Sequence, residues 1–164
     1  RKEGGSKTEG NIIDEEYKEG IYVGYRWADR KKQRPVFAFG HGLSYTQFAI
    51  SNLRADKASM TAADSITFTV QVKNIGQRAG SETVQLYVHD AKASVDRPLK
   101  ELKGFCKVSL QPGESKDVSI TLGKDALSFY DETTASWKAE PGLFEVWVGN
   151  ASDNLKLRKS FQLK

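Results

Sequence analysis

Residues 65–74 read SITFTVQVKN, and this stretch decides the fold class. Apolar side chains occupy every second position and polar side chains lie between them; the apolar set is Ile66, Phe68, Val70 and Val72. A period of two residues is typical of a β-strand, because successive side chains point to opposite faces. The stretch therefore predicts a strand with one face in a core and the other in water.

The same alternation recurs further along the chain. Residues 83–90 read TVQLYVHD, which predicts Val84, Leu86 and Val88 on an inner face and Gln85, Tyr87 and His89 on an outer face. Other strands are predicted over residues 104–110, 117–122 and 143–149, with turn sequences such as QPGES between them. A series of about seven or eight short strands, with no helix longer than a turn or two, predicts an all-β fold. We expect an antiparallel β-sandwich of the fibronectin type III or immunoglobulin kind, preceded by an extended N-terminal linker.

Composition narrows the possible partners. The chain has 164 residues, a hydrophobic content of 38% and a net charge of +4. Its basic residues are interleaved with acidic ones, so we expect no nucleic-acid partner. The basic run at Arg30, Lys31, Lys32 and Arg34 is interpreted as a solvated loop in preference to an anion site. No apolar run is long enough to cross a bilayer, so we expect no membrane partner.

The stretch FGHGLSYT (residues 39–46) resembles two catalytic loops and matches neither. A dinucleotide-binding loop needs a third glycine where Tyr45 stands, and a nucleophile elbow needs a glycine where Thr46 stands. His41, His89 and Cys106 are too scattered to predict a metal site, and Cys106 is expected to be a strand residue. The sequence predicts no catalytic residue, no metal and no cofactor in this chain.

Exposed tryptophans allow two interpretations. Trp147 lies between Val146 and Val148, so it is expected to point out of the sandwich. Trp137 precedes the EPG turn and is expected near the surface of the domain. Packing against another domain or in the core of the sandwich is the favoured interpretation for each, with Trp137 as a lid on the sandwich, and stacking on a sugar ring is the alternative.

Several motifs in order resemble one known family. They are YKEGIYVGYRWAD (17–29), PVFAFGHGLSYTQF (35–48), QLYVHD (85–90), DRPLKELKGF (96–105), LQPGES (110–115), LSFYD (127–131) and EPGLFEVWVGNASDNLKLRKSF (140–161). Together they resemble the C-terminal region of bacterial family-three glycoside hydrolases of the β-glucosidase type, over residues 12–164. The resemblance implies a linker and the tail of a preceding α/β sandwich domain at residues 1–43. It implies a fibronectin type III-like domain at residues 44–164.

The resemblance also implies roles for individual residues. FAFGHGLSYT (37–46), here called the connector, joins the two domains. Gly40 and Gly42 allow a sharp bend, and His41 and Ser44 are expected to hold it by local hydrogen bonds. The connector side chains expected to fix the joint by packing are Phe37, Phe39, Leu43 and Tyr45. Contacts with the catalytic domains are expected from Arg97, Lys100, Glu101 and Trp147. The family's nucleophile and acid/base lie upstream of the matched segment, so no residue here inherits a catalytic role. A periplasmic or secreted location is expected from the family alone.

Two classes of function follow from these observations. The first is a non-catalytic accessory domain that docks on the catalytic domains of a retaining β-glucosidase-like parent and stabilises them. The second is a carbohydrate-binding module, with Trp137 and Trp147, and Tyr87 or Tyr130, as the sugar platform. A free-standing interaction domain is disfavoured by the upstream segment YKEGIYVGYR. The order of residues 1–43 stays open: they are either poorly ordered or wrapped onto the sandwich.

Overall fold

The structure is a computed structural model that describes the backbone of residues 4–8 and 11–14 and all of residues 18–164. Its elements in chain order are β1 (Gly4–Thr8), β2 (Asn11–Asp14), α1 (Tyr25–Lys31), β3 (Phe48–Ala55), β4 (Ser59–Met60), β5 (Ser65–Asn74), β6 (Gly80–Asp90), β7 (Glu101–Leu110), β8 (Ser115–Gly123), a 3₁₀ turn (Lys124–Leu127), β9 (Phe129–Asp131), β10 (Ser136–Lys138), β11 (Gly142–Gly149) and β12 (Leu157–Leu163).

Two sheets face each other and form the sandwich. The larger has the strand order β4-β12-β11-β6-β7, and the smaller has the order β3-β5-β8. The chain changes sheets on either side of the short β4, between β5 and β6, between β7 and β8, and again before β11, as expected of a Greek-key sandwich. The all-β prediction is confirmed. One pairing differs from the antiparallel expectation, because the short β4 lies parallel to the end of β12.

The core lies between the sheets and is built from the alternating side chains. On β5 the four predicted inward residues are at most 3% exposed. Phe161 of β12 packs against Phe68 of the opposite sheet, with ring centroids 5.4 Å apart, and against Phe144 of its own sheet, at 5.8 Å. A continuous cluster of buried apolar residues joins both sheets. This burial supplies the main stabilising free energy of the domain.

On β6 the prediction of one wet face is wrong. Gln85 and Tyr87 point away from the core, yet they are only 4% and 0% exposed. The cause is the segment comprising residues 18–43, which lies across the outer side of this strand and is called the N-terminal segment below. Gln85 donates a hydrogen bond to the carbonyl of Gly40, and the ring of Tyr87 meets that of Tyr25. Strand periodicity cannot reveal such a cover, because it arises from a distant part of the chain.

The N-terminal segment is not uniformly extended, since it contains the short helix α1. Gly24 precedes the helix, and Lys32 ends it in the left-handed conformation with φ of 53°. The helix has no buried residue, and Tyr22 and Ala38 are the buried apolar residues of the segment. Of the two alternatives for residues 1–43, the structure shows wrapping for residues 18–43. The same expectation for residues 1–3, 9–10 and 15–17 lies outside the described residues.

Candidate functional site

The contact between the N-terminal segment and the sandwich contains a group of charged side chains and one tyrosine hydroxyl, here called the charged cluster. Its members are Tyr22, Arg26, Asp29 and Arg30 of the segment, and Asp90, Asp96, Arg97, Lys100, Glu101 and Lys103 of the sandwich. Three of the four residues predicted to contact another domain therefore contact the N-terminal segment. Contact of these residues with a catalytic domain stays a prediction.

Arg97 is the centre of the charged cluster. Its guanidinium donates to Asp90 at 3.1 Å, to Glu101 at 2.8 Å and to the carbonyl of Leu127 at 3.0 Å. Its side chain is only 7% exposed. A buried guanidinium needs partners of this kind, because an unpaired buried charge is strongly destabilising. Arg97 therefore holds the sandwich's own loop and strand ends together.

Glu101 links Arg97 to the N-terminal segment by accepting hydrogen bonds from both. One of its carboxylate oxygens accepts from Arg97, and the other lies 3.2 Å from Arg26 and 3.5 Å from Lys103. Burial alone would raise the pKa of Glu101, but the hydrogen bond from Arg97 and the charges of Lys103, Arg97 and Arg26 outweigh it, so the pKa is lowered. Burial lowers the pKa of Lys103 despite the attraction of Glu101.

Two further contacts fasten the segment on either side of this centre. Lys100, 5% exposed, forms an ion pair with Asp29 of α1. The hydroxyl of Tyr22 donates to Asp96 at 2.6 Å, and Arg30 donates to the other oxygen of the same carboxylate at 2.7 Å. The hydrogen bonds from Tyr22 and Arg30 hold the pKa of Asp96 below its usual range.

Tyr25 provides the apolar part of the attachment. Its ring lies 5.3 Å from the ring of Phe39 and 5.6 Å, edge to face, from the ring of Tyr87. Its hydroxyl accepts a hydrogen bond from the backbone N–H of Leu102 at 2.9 Å. Burial raises the pKa of the Tyr87 hydroxyl well above its usual range, with the negative charges nearby adding to the effect. The buried hydroxyl donates to Gln85 at 2.7 Å.

The connector follows, and its glycines differ in what they require. Gly40 has φ of 78°, and a Cβ added there would lie 2.1 Å from the amide nitrogen of Gln85, so only glycine fits. Gly42 has no positive φ, and a Cβ added there would meet nothing within 4 Å. The ring of His41 contacts Phe37 at 5.5 Å. The bend therefore depends on Gly40 more than on Gly42.

The connector region carries several large apolar side chains that stay largely exposed in the described chain. Val36, Phe37, Leu43 and Tyr45 are 91%, 73%, 95% and 91% exposed. Of the four connector side chains expected to pack, Phe39 does so against Tyr25, whereas Phe37, Leu43 and Tyr45 stay largely exposed. Four large apolar side chains exposed within ten residues form what is called the apolar edge below. Large apolar side chains exposed so closely together in sequence are expected at an interaction surface.

The tryptophans and tyrosines of the predicted sugar platform differ in how exposed their rings are. Tyr87 is fully buried, so its place in a platform is wrong. Trp147 points outward as predicted, but its ring is contacted by Arg158 at 4.1 Å and His89 at 5.2 Å, and its N–H donates to Glu145. Trp137 and Tyr130 are 69% and 51% exposed and meet edge to face at 5.8 Å. These two alone keep the exposure that a platform needs.

Sequence reasoning missed the segment's own contribution to the charged cluster. Tyr22, Arg26 and Asp29 stand in the quoted motif at residues 17–29, yet none was singled out. The available signal was the density of aromatic and charged residues in YVGYRWADR (22–30), which is unusual for a solvated linker. Arg30 was interpreted as a solvated loop residue, whereas it donates to Asp96 and lies over the Tyr22 ring at 4.0 Å.

Comparison with known proteins agrees with this architecture. The fibronectin type III-like domain family matches residues 82–152. The thermostable β-glucosidase B of Acetivibrio thermocellus is 49% identical over 148 residues, which cover 90% of this chain and 20% of that protein. The β-glucosidase BoGH3A of Bacteroides ovatus is 45% identical and matches 93% of this chain. The crystal structure of the Bifidobacterium adolescentis family-three β-glucosidase superposes with a TM-score of 0.84 at 36% identity, covering 95% of this chain and 22% of that one.

The chain belongs to the C-terminal, fibronectin type III-like region of family-three glycoside hydrolases of the β-glucosidase type. It spans about a fifth of the length of the curated relatives it matches. The similarity covers the N-terminal segment as well as the fibronectin type III-like domain, because the matches extend over about nine tenths of the chain. Within the residues that the structure describes, no helix is long and apolar enough to span a bilayer.

Proposed function

We propose that this chain is a non-catalytic accessory module that docks on the catalytic domains of a β-glucosidase-like glycoside hydrolase and stabilises them. The parent would hydrolyse terminal β-D-glycosyl residues by a retaining mechanism, with its nucleophile and acid/base supplied by those domains. The observation that carries the proposal is the apolar edge. Leu43 and Tyr45 are more than nine tenths exposed in a chain whose other aliphatic residues mostly lie in the core.

The charged cluster supports the same role by a different route. It fixes the N-terminal segment to the sandwich at several points, so the apolar edge is presented in one orientation. A rigid docking face loses less conformational entropy on association than a flexible one does. The relatives are about five times longer than the matched segment, and the rest of such a protein is the proposed occupant of the edge.

The test uses the full-length parent and a double substitution, Leu43→Ser with Tyr45→Ser. Both side chains are exposed in this domain, so the isolated 164-residue chain should keep its melting temperature. In the parent, the loss of apolar docking area should lower the apparent melting temperature by about 3 °C or more. Phe105→Ser, at a position 70% exposed and outside the apolar edge, is the matched control and should change neither protein. An unchanged parent melting temperature with unchanged kinetics would refute the docking role.

A further inference from the structure

The hairpin formed by β9 and β10 lies outside both sheets of the sandwich. It pairs only with itself, in the register Trp137↔Tyr130, and all three residues of β10 are exposed. Its turn is held by Asp131, which accepts hydrogen bonds from the N–H of Thr133 and the hydroxyl of Thr134, each at 3.0 Å. The hairpin is therefore a fixed element that gives the core little burial.

A cleft of about 680 Å³ lies between this hairpin and the N-terminal segment. Tyr130 and Trp137 line one side, and Ile21 and Arg26 belong to the segment. Small-molecule sites in proteins have volumes of about 300–1,000 Å³ and combine apolar rings with a few converging polar groups. The cleft has that size and that composition.

The polar groups of the cleft indicate the class of ligand. Arg26, Lys103 and Glu101 line it together and are already paired with one another at 3.2 and 3.5 Å. The lining also includes Arg97 and the carboxylates of Asp96, Asp131 and Glu132. Three cationic and four anionic side chains therefore line the cleft, and it has no single sign that would favour a small ion. The positions of Arg26, Lys103 and Glu101 are fixed before any ligand enters. A neutral ligand whose hydroxyls both donate and accept hydrogen bonds fits such a mixed lining.

The aromatic pair indicates the shape of that ligand. Tyr130 and Trp137 meet at an interplanar angle of 74°, so the rings form a corner with exposed surface at 69% for Trp137. An amphipathic ring exposed to water packs well against a ligand with one apolar face and polar edges. The C–H face of a pyranose, with hydroxyls around its edge, has this form.

We infer that the cleft between Trp137, Tyr130 and Arg26 binds a short neutral oligosaccharide. Trp137 stacks on one sugar ring, while Arg26, Glu101 and Lys103 hydrogen-bond its hydroxyls. The choice of β-linked glucose oligomers as probes rests on the proposed function. The cleft and the apolar edge are formed by different residues, so each can be tested without the other.

The test is isothermal titration of the 164-residue chain with cellotetraose, laminaritetraose and the α-linked maltotetraose. Saturable binding is expected for at least one tetrasaccharide, with a Kd of about 1 mM or lower. Trp137→Ala should weaken that binding by about tenfold or more, the loss expected for one stacked ring. Because Trp137 is exposed, the Trp137→Ala variant should keep the melting temperature of the unchanged 164-residue chain.

Phe105→Ala is the matched control, since Phe105 is 70% exposed and does not line the cleft. It should bind the same tetrasaccharide within about twofold of the unchanged chain. Absence of saturable binding to all three probes would overturn the inference, as would equal binding by Trp137→Ala. The melting temperature of the full-length parent, which tests docking, does not enter this result.

A second measurement tests a protein occupant. Chemical oxidation of Trp137 should proceed at similar rates in the 164-residue chain and in the full-length parent if the cleft is open to sugar. Protection in the parent alone would show that catalytic domains fill the cleft, and would overturn the sugar assignment.

Discussion

The sandwich and the N-terminal segment are stabilised by different kinds of contact. In the sandwich, side chains such as Phe161, Phe68 and Ile66 are at most 2% exposed and touch mainly other apolar groups. In the segment, the buried apolar residues are Tyr22 and Ala38, and ion pairs and ring contacts provide the attachment. The sandwich can therefore be stable without the segment, whereas the segment depends on the sandwich for its shape.

The difference in stabilising contacts follows from the shortness of the N-terminal segment. A segment of 26 residues cannot enclose a core, so it is fixed by directional contacts at a few points. These contacts specify orientation and leave the segment's apolar side chains on the outer side. Val36 and Leu43 are consequently available for another domain. In the proposed docking role, the sandwich would act as a support and the segment would carry most of the apolar edge.

The largest expected effect is in the core. Phe161→Ala removes the ring that joins Phe68 and Phe144 across the two sheets, and should reduce the free energy of unfolding by about 3–5 kcal/mol. Chemical denaturation of the 164-residue chain, followed by fluorescence, measures it. Val36→Ala, at a position 91% exposed, is the control and should change the value by less than about 0.5 kcal/mol. Similar effects for both variants would contradict the contrast between core and segment.

An intermediate effect is expected where the segment meets the sheet. Tyr25→Ala removes two ring contacts and the acceptor for the Leu102 N–H, and should weaken attachment of the segment by about 1–3 kcal/mol. Limited trypsin digestion should then cleave at Arg26 and Arg30 while β5 and β6 stay protected.

Tyr25→Phe is the matched control for this experiment. It keeps the ring but loses the hydroxyl, so cleavage should rise less than in Tyr25→Ala. Global unfolding of the Tyr25→Ala chain together with the segment would show that the two regions form a single cooperative unit, against the comparison made above.

The smallest effect is expected from acid. Hydrogen bonds from Tyr22 and Arg30 lower the pKa of Asp96 in the folded chain, so this stabilisation is complete above the unfolded value near 4 and is lost as the pH falls through the folded value. The pKa of Glu101 is also lowered in the folded chain, so its contribution to stability is likewise lost as the pH falls. Trypsin is inactive in acid, so pepsin digestion between pH 4.5 and 2.5 reports release of the segment.

Asp96→Asn should release the segment more at pH 7 and should make its attachment less dependent on pH below 4.5. An unaltered pH profile in Asp96→Asn would mean that Asp96 does not contribute to attachment.

Much of the sandwich could be predicted from the sequence because strand pairing depends on local alternation. Val70 was placed on an inner face by its neighbours alone, and it lies opposite Val118 where β5 pairs with β8. The motifs also predicted the family, and the comparisons confirm it. The outer face of β6 could not be predicted, since the cover over Tyr87 comes from Tyr25, 62 positions away in the chain.

By itself, the sequence determined the all-β class, the inner faces of the strands and the presence of a glycine-containing bend at residues 40–42. Each depends on a residue and its near neighbours, through alternation or allowed φ. The tertiary structure alone decided that Arg97 is a buried centre of ion pairs, that Tyr87 is covered and that Trp137 stays exposed. These outcomes depend on which parts of the chain, far apart in sequence, come into contact. Such contacts decide side-chain burial, and the local sequence pattern does not contain them.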